Sequence, residues 1–204
     1  MKANPTRSDS RSRDKNKHEQ KRLSEWCKTN VKHLYLYRHA DTLPAEYGQT
    51  DHSRVLSDQG RDECQRVGNF LKLTPEFRPG YALCSTATRT RDTLALTAAA
   101  MEHDFEVRHD DALYLASAGD IFHLINQVDD SVDELLVVSH NPGIHHFCQI
   151  LAKRGDRVGR QEIDSRFPPA TLALFKVNIA HWAELSPETI GELLGVAIPK
   201  QQTA

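Results

Sequence analysis

No stretch of this 204-residue chain approaches the ~18 consecutive apolar residues of a membrane span, so no membrane role is expected. Cysteine is scarce. Cys27, Cys64, Cys84 and Cys148 lie far apart and match neither a metal-ligand nor a dithiol spacing, which removes zinc-ribbon and redox-motif readings. Without an apolar leader they are expected as reduced thiols, mostly in a core, in a cytoplasmic protein. A glycine-rich phosphate-binding loop and an Asp-rich metal cluster are both missing, so neither a metal nor another cofactor is expected. A net charge of −2 makes no whole-chain case for nucleic acid as a partner. The length suits one domain, expected as a monomer or weak dimer.

The charge is unevenly spread. Residues 1–30 hold nine Lys/Arg and four Asp/Glu, a surplus of +5, which leaves −7 for residues 31–204. That first segment has almost no apolar residue before Leu23 and cannot bury enough surface to offset its ordering entropy. It is expected as a disordered basic tail, mostly solvated, with residues 31–204 as the folded domain.

Beyond it, apolar runs and helical patterns alternate. His33 to Arg38 reads as a first strand, and Ser57 as the N-cap of a helix with Cys64, Val67 and Leu71 inward. Tyr81 to Cys84 is a second strand feeding a helix from about Thr86 to Met101, with Leu94, Ala98 and Met101 on one side. Phe105 to Val107 reads as a strand and Ala118 to Val128 as a short helix. Glu134 to Val138 is the most apolar strand. After it Asn141 is expected to cap a helix with Pro142 at its first position and Ile144, Phe147, Cys148 and Leu151 on its buried face. Gly155 to Phe167 reads as a polar loop. Thr171 to Val177 is a late strand, paired with His181 to Leu185. This alternation predicts an α/β domain, a mostly parallel sheet with helices on both faces.

Chemistry in such folds gathers at the carboxyl ends of parallel strands. His39, in Leu36-Tyr37-Arg38-His39-Ala40-Asp41-Thr42, ends one apolar run. His140, in Val137-Val138-Ser139-His140-Asn141-Pro142-Gly143, ends another. Arg89 follows the second strand, in the first turn of a helix whose N-terminus favours anions. Guanidinium groups match phosphate bidentately, so Arg38, Arg89 and the helix start behind His140 predict a phosphoryl pocket. A neutral imidazole at His39 is a nucleophile near pH 7, and a protonated His140 would help stabilise the equatorial oxygens. No metal is needed for that charge.

Four segments together resemble the histidine phosphatase superfamily, whose fold is phosphoglycerate mutase-like. They are Arg38 to Thr42, Arg54-Val55-Leu56-Ser57-Asp58-Gln59-Gly60, Cys84-Ser85-Thr86-Ala87-Thr88-Arg89, and Ser139 to Gly143. The Ala after Arg38-His39 and the segment Phe167-Pro168-Pro169-Ala170-Thr171 are similar to the SixA-type phosphohistidine phosphatases, with Pro169-Ala170 where Thr-Gly is more usual. The resemblance covers about residues 33–185. It implies a phosphatase with His39 as phosphoryl acceptor, Arg38 and Arg89 as clamps, His140 as second histidine, and Thr42 and Asn141 as further substrate contacts. The family's carboxylate proton donor has no secure counterpart; Asp41, Asp110 and Asp111 are the candidates. A site without a strong acid suits a P–N bond better than a phosphate ester, because general acids contribute ~10²–10⁴-fold to alkoxide departure. The substrate implied is thus a phosphohistidine-bearing protein, with a small phosphorylated metabolite as the alternative.

Other readings compete. A non-catalytic phospho-binding scaffold would need lost chemistry, and the four core positions carry no such loss. A mutase would enclose its substrate with long insertions, and only residues 155–167 offer one. Cysteine-dependent phosphatases place five residues between Cys and Arg, whereas Cys84 and Arg89 are separated by four. The bland alternative for Arg89 is an ion pair with Asp92 on its own helix. His145 and His146 fall off the apolar helix face and read as solvated, not as metal ligands.

Overall fold

The computed structural model describes residues 30–74 and 78–199, so the basic tail expected over residues 1–30 lies almost wholly outside the described residues. Its sheet is built from β1 (Lys32–Arg38), β2 (Tyr81–Ser85), β3 (Glu106–Asp110), β4 (Glu134–Ser139), β5 (Ala152–Gly155), β6 (Leu172–Val177) and β7 (Gly191–Ala197). The helices are α1 (Asp58–Lys72), α2 (Thr88–Met101), α3 (Ala118–Ile125), α4 (Gly143–Leu151) and α5 (Arg157–Ser165). The strand order is β3-β2-β4-β1-β6-β7-β5. β3, β2, β4 and β1 run parallel, β6 turns antiparallel to β1 and β7, and β5 lies parallel to β7.

Central parallel strands are covered on both faces and so read as continuous apolar runs. In β1 the pleat sends Leu34 and Leu36 to one face and Tyr35 and Tyr37 to the other. The leucines meet α3 and α4 through Ile121, Ile125, Phe147 and Leu151, with Trp182 completing the layer. The tyrosines meet α1 and α2 through Cys64, Val67, Leu71, Leu94 and Met101. Ser57 caps α1 as expected, its side chain accepting from Gly60 N.

Several expectations are corrected. Residues 155–167 hold a helix, α5, capped by Asp156, which accepts from Val158 N. Only Gly159 and Ile163 of α5 are buried, so its apolar stripe is too thin to register as a helical period. His181 to Leu185 is a 3₁₀ turn: Trp182 and Leu185 are both buried three residues apart, the spacing of that turn and not of a strand. β6 instead pairs with β7. Asn141 caps nothing; Pro142 occupies the N-cap of α4 without a side-chain cap. On α2 Ala98 is only half-buried, and Thr90, Thr93 and Thr97 share the buried face with Leu94 and Met101. His145 is not solvated: its Nε2 lies 2.6 Å from Ile163 O and its ring stacks on Phe167 at 5.4 Å, tying α4 to α5.

Candidate active site

Because β2, β4 and β1 are neighbours with parallel register, their carboxyl ends lie side by side. Arg38 pairs with Ser139 across the β1–β4 ladder, and His39 N donates to Ser139 O at 3.2 Å. One residue beyond each strand therefore puts His39 beside His140, with ring centroids 5.2 Å apart. The third strand end contributes Ser85, whose Oγ lies 2.8 Å from His140 Nε2. A cavity of about 380 Å³ opens here, lined by Arg38, His39, Thr42, Asp51, Arg89 and His140 among others. All four core positions singled out from the sequence thus converge, as do Thr42, Asn141 and Asp41.

Backbone groups fix the pieces. His39 Nδ1 lies 2.8 Å from Ala40 O, which only accepts, so the ring's proton sits on Nδ1 and Nε2 keeps its lone pair. Phe167 O accepts both from an Arg38 Nη, at 2.7 Å, and from Asn141 Nδ2, at 3.0 Å. The Phe-Pro segment is therefore a carbonyl anchor for the site. Asn141 is turned to that anchor, and its Oδ1 is buried without a partner among the described residues. Ala170, at φ 54, donates its N–H to His39 O at 3.0 Å. That backbone region favours glycine, and an alanine is held there by burial and this bond. Gly60 explains the glycine of the Arg54 to Gly60 segment: a Cβ there would lie 2.1 Å from Asp41 O, just behind His39.

Arg89 is 3% exposed and does not pair with Asp92. One Nη donates to Asp51 O at 2.5 Å and the other to Asp51 Oδ2 at 2.9 Å. Tyr114 OH donates to the same Oδ2 at 2.7 Å, and Arg54 to Oδ1 at 3.2 Å. Asp51 is held down to about 2 by Tyr114 foremost, with Arg54 and Arg89 adding to it. Arg54 also donates to Thr42 Oγ1. The expected proton donors sit differently. Asp41 Oδ2 accepts from Ser57 Oγ at 2.6 Å. Asp111 accepts from Thr86 Oγ1 and Asp110 binds Arg108 and Ala112 N, and neither lines the cavity.

Burial, together with the Arg89, Arg38 and Arg54 charges, lowers His39 to about 4 against the bond to Ala40 O. Burial foremost, then Arg89 and His39, lowers His140 to about 3. On the chain's own charges His140 is therefore a neutral imidazole at pH 7, not the imidazolium expected. Cys84 is wholly buried and its thiol is pushed up to about 12, so it offers no thiolate. A larger groove of about 610 Å³ between α5 and the end of β7 shares Pro169 with the site. Its walls carry Glu63, Asp156 and Glu162 against Arg166, a formal excess of negative charge that would repel a phosphate.

Asp51, Arg54, Ser85, Tyr114 and the Phe167 carbonyl were not assigned roles from sequence. Arg54 and Ser85 stood inside the motif segments, a usable signal. Nothing in the sequence marks Asp51 or Tyr114.

Comparison with known proteins gives a consistent picture. The sequence model described as Histidine phosphatase superfamily (branch 1) matches residues 34–143. An uncharacterized protein of Mycobacterium tuberculosis is 34% identical over 165 residues, covering 80% of this chain and 99% of the relative. A solved structure from Nakamurella multipartitia, described as a SixA phosphohistidine phosphatase, superposes with a TM-score of 0.68 at 29% identity, covering 83% of this chain and 96% of the other. A second structure so described, from Agrobacterium tumefaciens, gives 0.67 at 23% identity, covering 82% and 98%.

Proposed function

Because the chain belongs to the histidine phosphatase superfamily, in its SixA-type branch, and is therefore a phosphatase, we propose that it hydrolyses protein phosphohistidine through a covalent phosphohistidine on its own His39. Residues 31–204 are the phosphatase domain in this reading. His39 attacks phosphorus from Nε2 while Arg38 and Arg89 hold the equatorial oxygens. The substrate's imidazole leaves toward solvent. Water then displaces His39 from phosphorus, releasing inorganic phosphate and restoring the ring.

The observation that carries this reading is the fixed ring of His39: Nδ1 is committed to Ala40 O, which leaves the Nε2 lone pair on a ring that lines a cavity with three arginines. The choice of a P–N bond rests on the carboxylates. Asp51 is ionised down to about pH 2, and Asp41 Oδ2 is engaged by Ser57 Oγ. An alkoxide needs a strong acid to leave, whereas an imidazole can take its proton from water.

Rapid quench with a radiolabelled phosphohistidine protein tests both parts. Acid-labile, base-stable label is expected on the enzyme and absent from His39→Ala. Label persisting on His39→Ala would overturn the acceptor assignment. Phosphoserine peptides turned over as efficiently would overturn the substrate class.

A further inference from the structure

Ser85 is fully buried at the end of β2, and its Oγ has two partners: His140 Nε2 at 2.8 Å and Ala87 N at 3.5 Å. His140 is 1% exposed, and its other ring nitrogen, Nδ1, is buried with no partner among the described residues. The pair shares protons in one of two ways. If Nε2 carried the proton, Ser85 Oγ would accept from both Nε2 and Ala87 N. Its own proton would then have no acceptor among the described residues, and a bare Nδ1 lone pair would remain buried in a residue that lines the cavity. The hydroxyl is satisfied if Ser85 O–H donates to Nε2 and Nδ1 carries the proton, and the one group then left without a partner among the described residues is an N–H donor, which a phosphoryl oxygen satisfies. An unsatisfied buried hydroxyl proton is costly, and a lone pair set against a phosphoryl oxygen repels it.

We infer that Ser85 is a positioning residue that locks His140 in its Nδ1–H tautomer, so that a neutral imidazole donates a hydrogen bond to the phosphoryl group. The two histidines then work as complementary neutral rings. His39, with its proton on Nδ1 through Ala40 O, offers a lone pair at Nε2; His140, accepting at Nε2, offers an N–H at Nδ1. Which nitrogen of a neutral imidazole bears the proton is set by the bond at the other nitrogen. The lowered basicity of His140 agrees with a donor that works without a positive charge. The inference rests on the proposed phosphoryl chemistry for its purpose, but its tautomer stands apart from any substrate.

The experiment is nitrogen-15 NMR of ring-labelled protein at pH 7, read before kinetics. In the wild type His140 should show a protonated Nδ1 and an acceptor-type Nε2. Ser85→Ala should shift the proton toward Nε2 and lower kcat roughly 10- to 100-fold, by analogy with the loss seen when the outer partner of a metal-binding histidine is removed. Ser85→Thr, which keeps the hydroxyl, should restore both. A wild-type His140 protonated at Nε2 overturns the inference even if the variants fail to fold. So does a Ser85→Ala enzyme with unchanged kcat. Failure of the phosphohistidine reading is separate: it would appear in the label on His39→Ala and leave the His140 spectrum as it is.

Discussion

Lowering the pH should destabilise this protein through its active site. His39 titrates near 6.5 in an unfolded chain and at about 4 in the fold, because burial and three arginines oppose its charge. The folded state thus binds fewer protons than the unfolded one between these values. The stability this contributes is fully present above pH 6.5, starts to fall below it, and is lost by pH 4. For His39 the whole interval amounts to roughly 3 kcal/mol, and about 2 kcal/mol is already gone at pH 5. His140, lowered to about 3, acts in the same direction over a range reaching further into acid.

Urea unfolding of wild type and His39→Gln at pH 7.5 and pH 5 isolates the term, since other acid-sensitive groups are common to both. With a slope of ~2 kcal/mol per molar urea, the wild-type midpoint should fall about 1 M further than the variant's over this step. Equal losses in both would refute the conclusion that the fold holds His39 neutral against its own tendency to charge. A ring titration of His39 by NMR with a midpoint above 6 would do the same.

Three further outcomes follow from the site. Asp51→Asn keeps the hydrogen-bond acceptor for Arg89 and Tyr114 but removes the charge, so inhibition by inorganic phosphate should tighten about threefold at low salt, less at high salt; weaker inhibition would mean that the carboxylate charge serves Arg89 and does not compete for it. Iodoacetamide at pH 7.5 should leave the native enzyme active and Cys84 unmodified, because that thiol is buried and pushed up to about 12; inactivation with label on Cys84 would contradict this. Gly143→Ala would put a Cβ 1.8 Å from Ala116 O, forcing apart α4 and the turn carrying Tyr114, and should cost about 2 kcal/mol or more in thermal unfolding; an unchanged melting temperature would refute the contact.

The legible part of this fold is the part whose signal is local. The central strands and α1, α3 and α4 carry apolar periods dense enough to read, and strand ends followed by charged residues pointed to His39 and His140. α5 escaped because two buried residues do not make a stripe, and β5, with sequence Ala152-Lys153-Arg154-Gly155, is a polar edge strand without apolar alternation. β7 carries two glycines and runs half-exposed, so its sequence does not show it as the partner of β6. The site divides in the same way. Arg38, His39, Arg89 and His140 advertise themselves by residue type at a strand end. Asp51 acts only because a 3₁₀ turn brings it across to Arg89, 38 positions away, and Tyr114 meets it from 63 positions away. Such contacts have no local period to detect.

The unanticipated groups also settle how much charge the pocket presents. With both imidazoles neutral, Arg38, Arg54 and Arg89 stand against Asp41 and Asp51, a formal surplus of one positive charge among the lining residues. Three unopposed guanidinium groups would bind substrate, transition state and inorganic phosphate alike, and uniform binding adds nothing to kcat. It would also slow product release. Asp51 counters this by holding Arg89 through both a carboxylate and a carbonyl oxygen, so a phosphoryl group gains the arginine only by displacing or sharing those bonds. In the proposed reaction, binding energy would then be kept for the geometry in which three equatorial oxygens spread toward Arg38, Arg89 and His140 at once. Neutral rings serve the same end. An imidazolium at His140 would hold phosphate in every state, whereas the N–H proposed for its neutral ring would reward the arrangement in which the oxygens come closest.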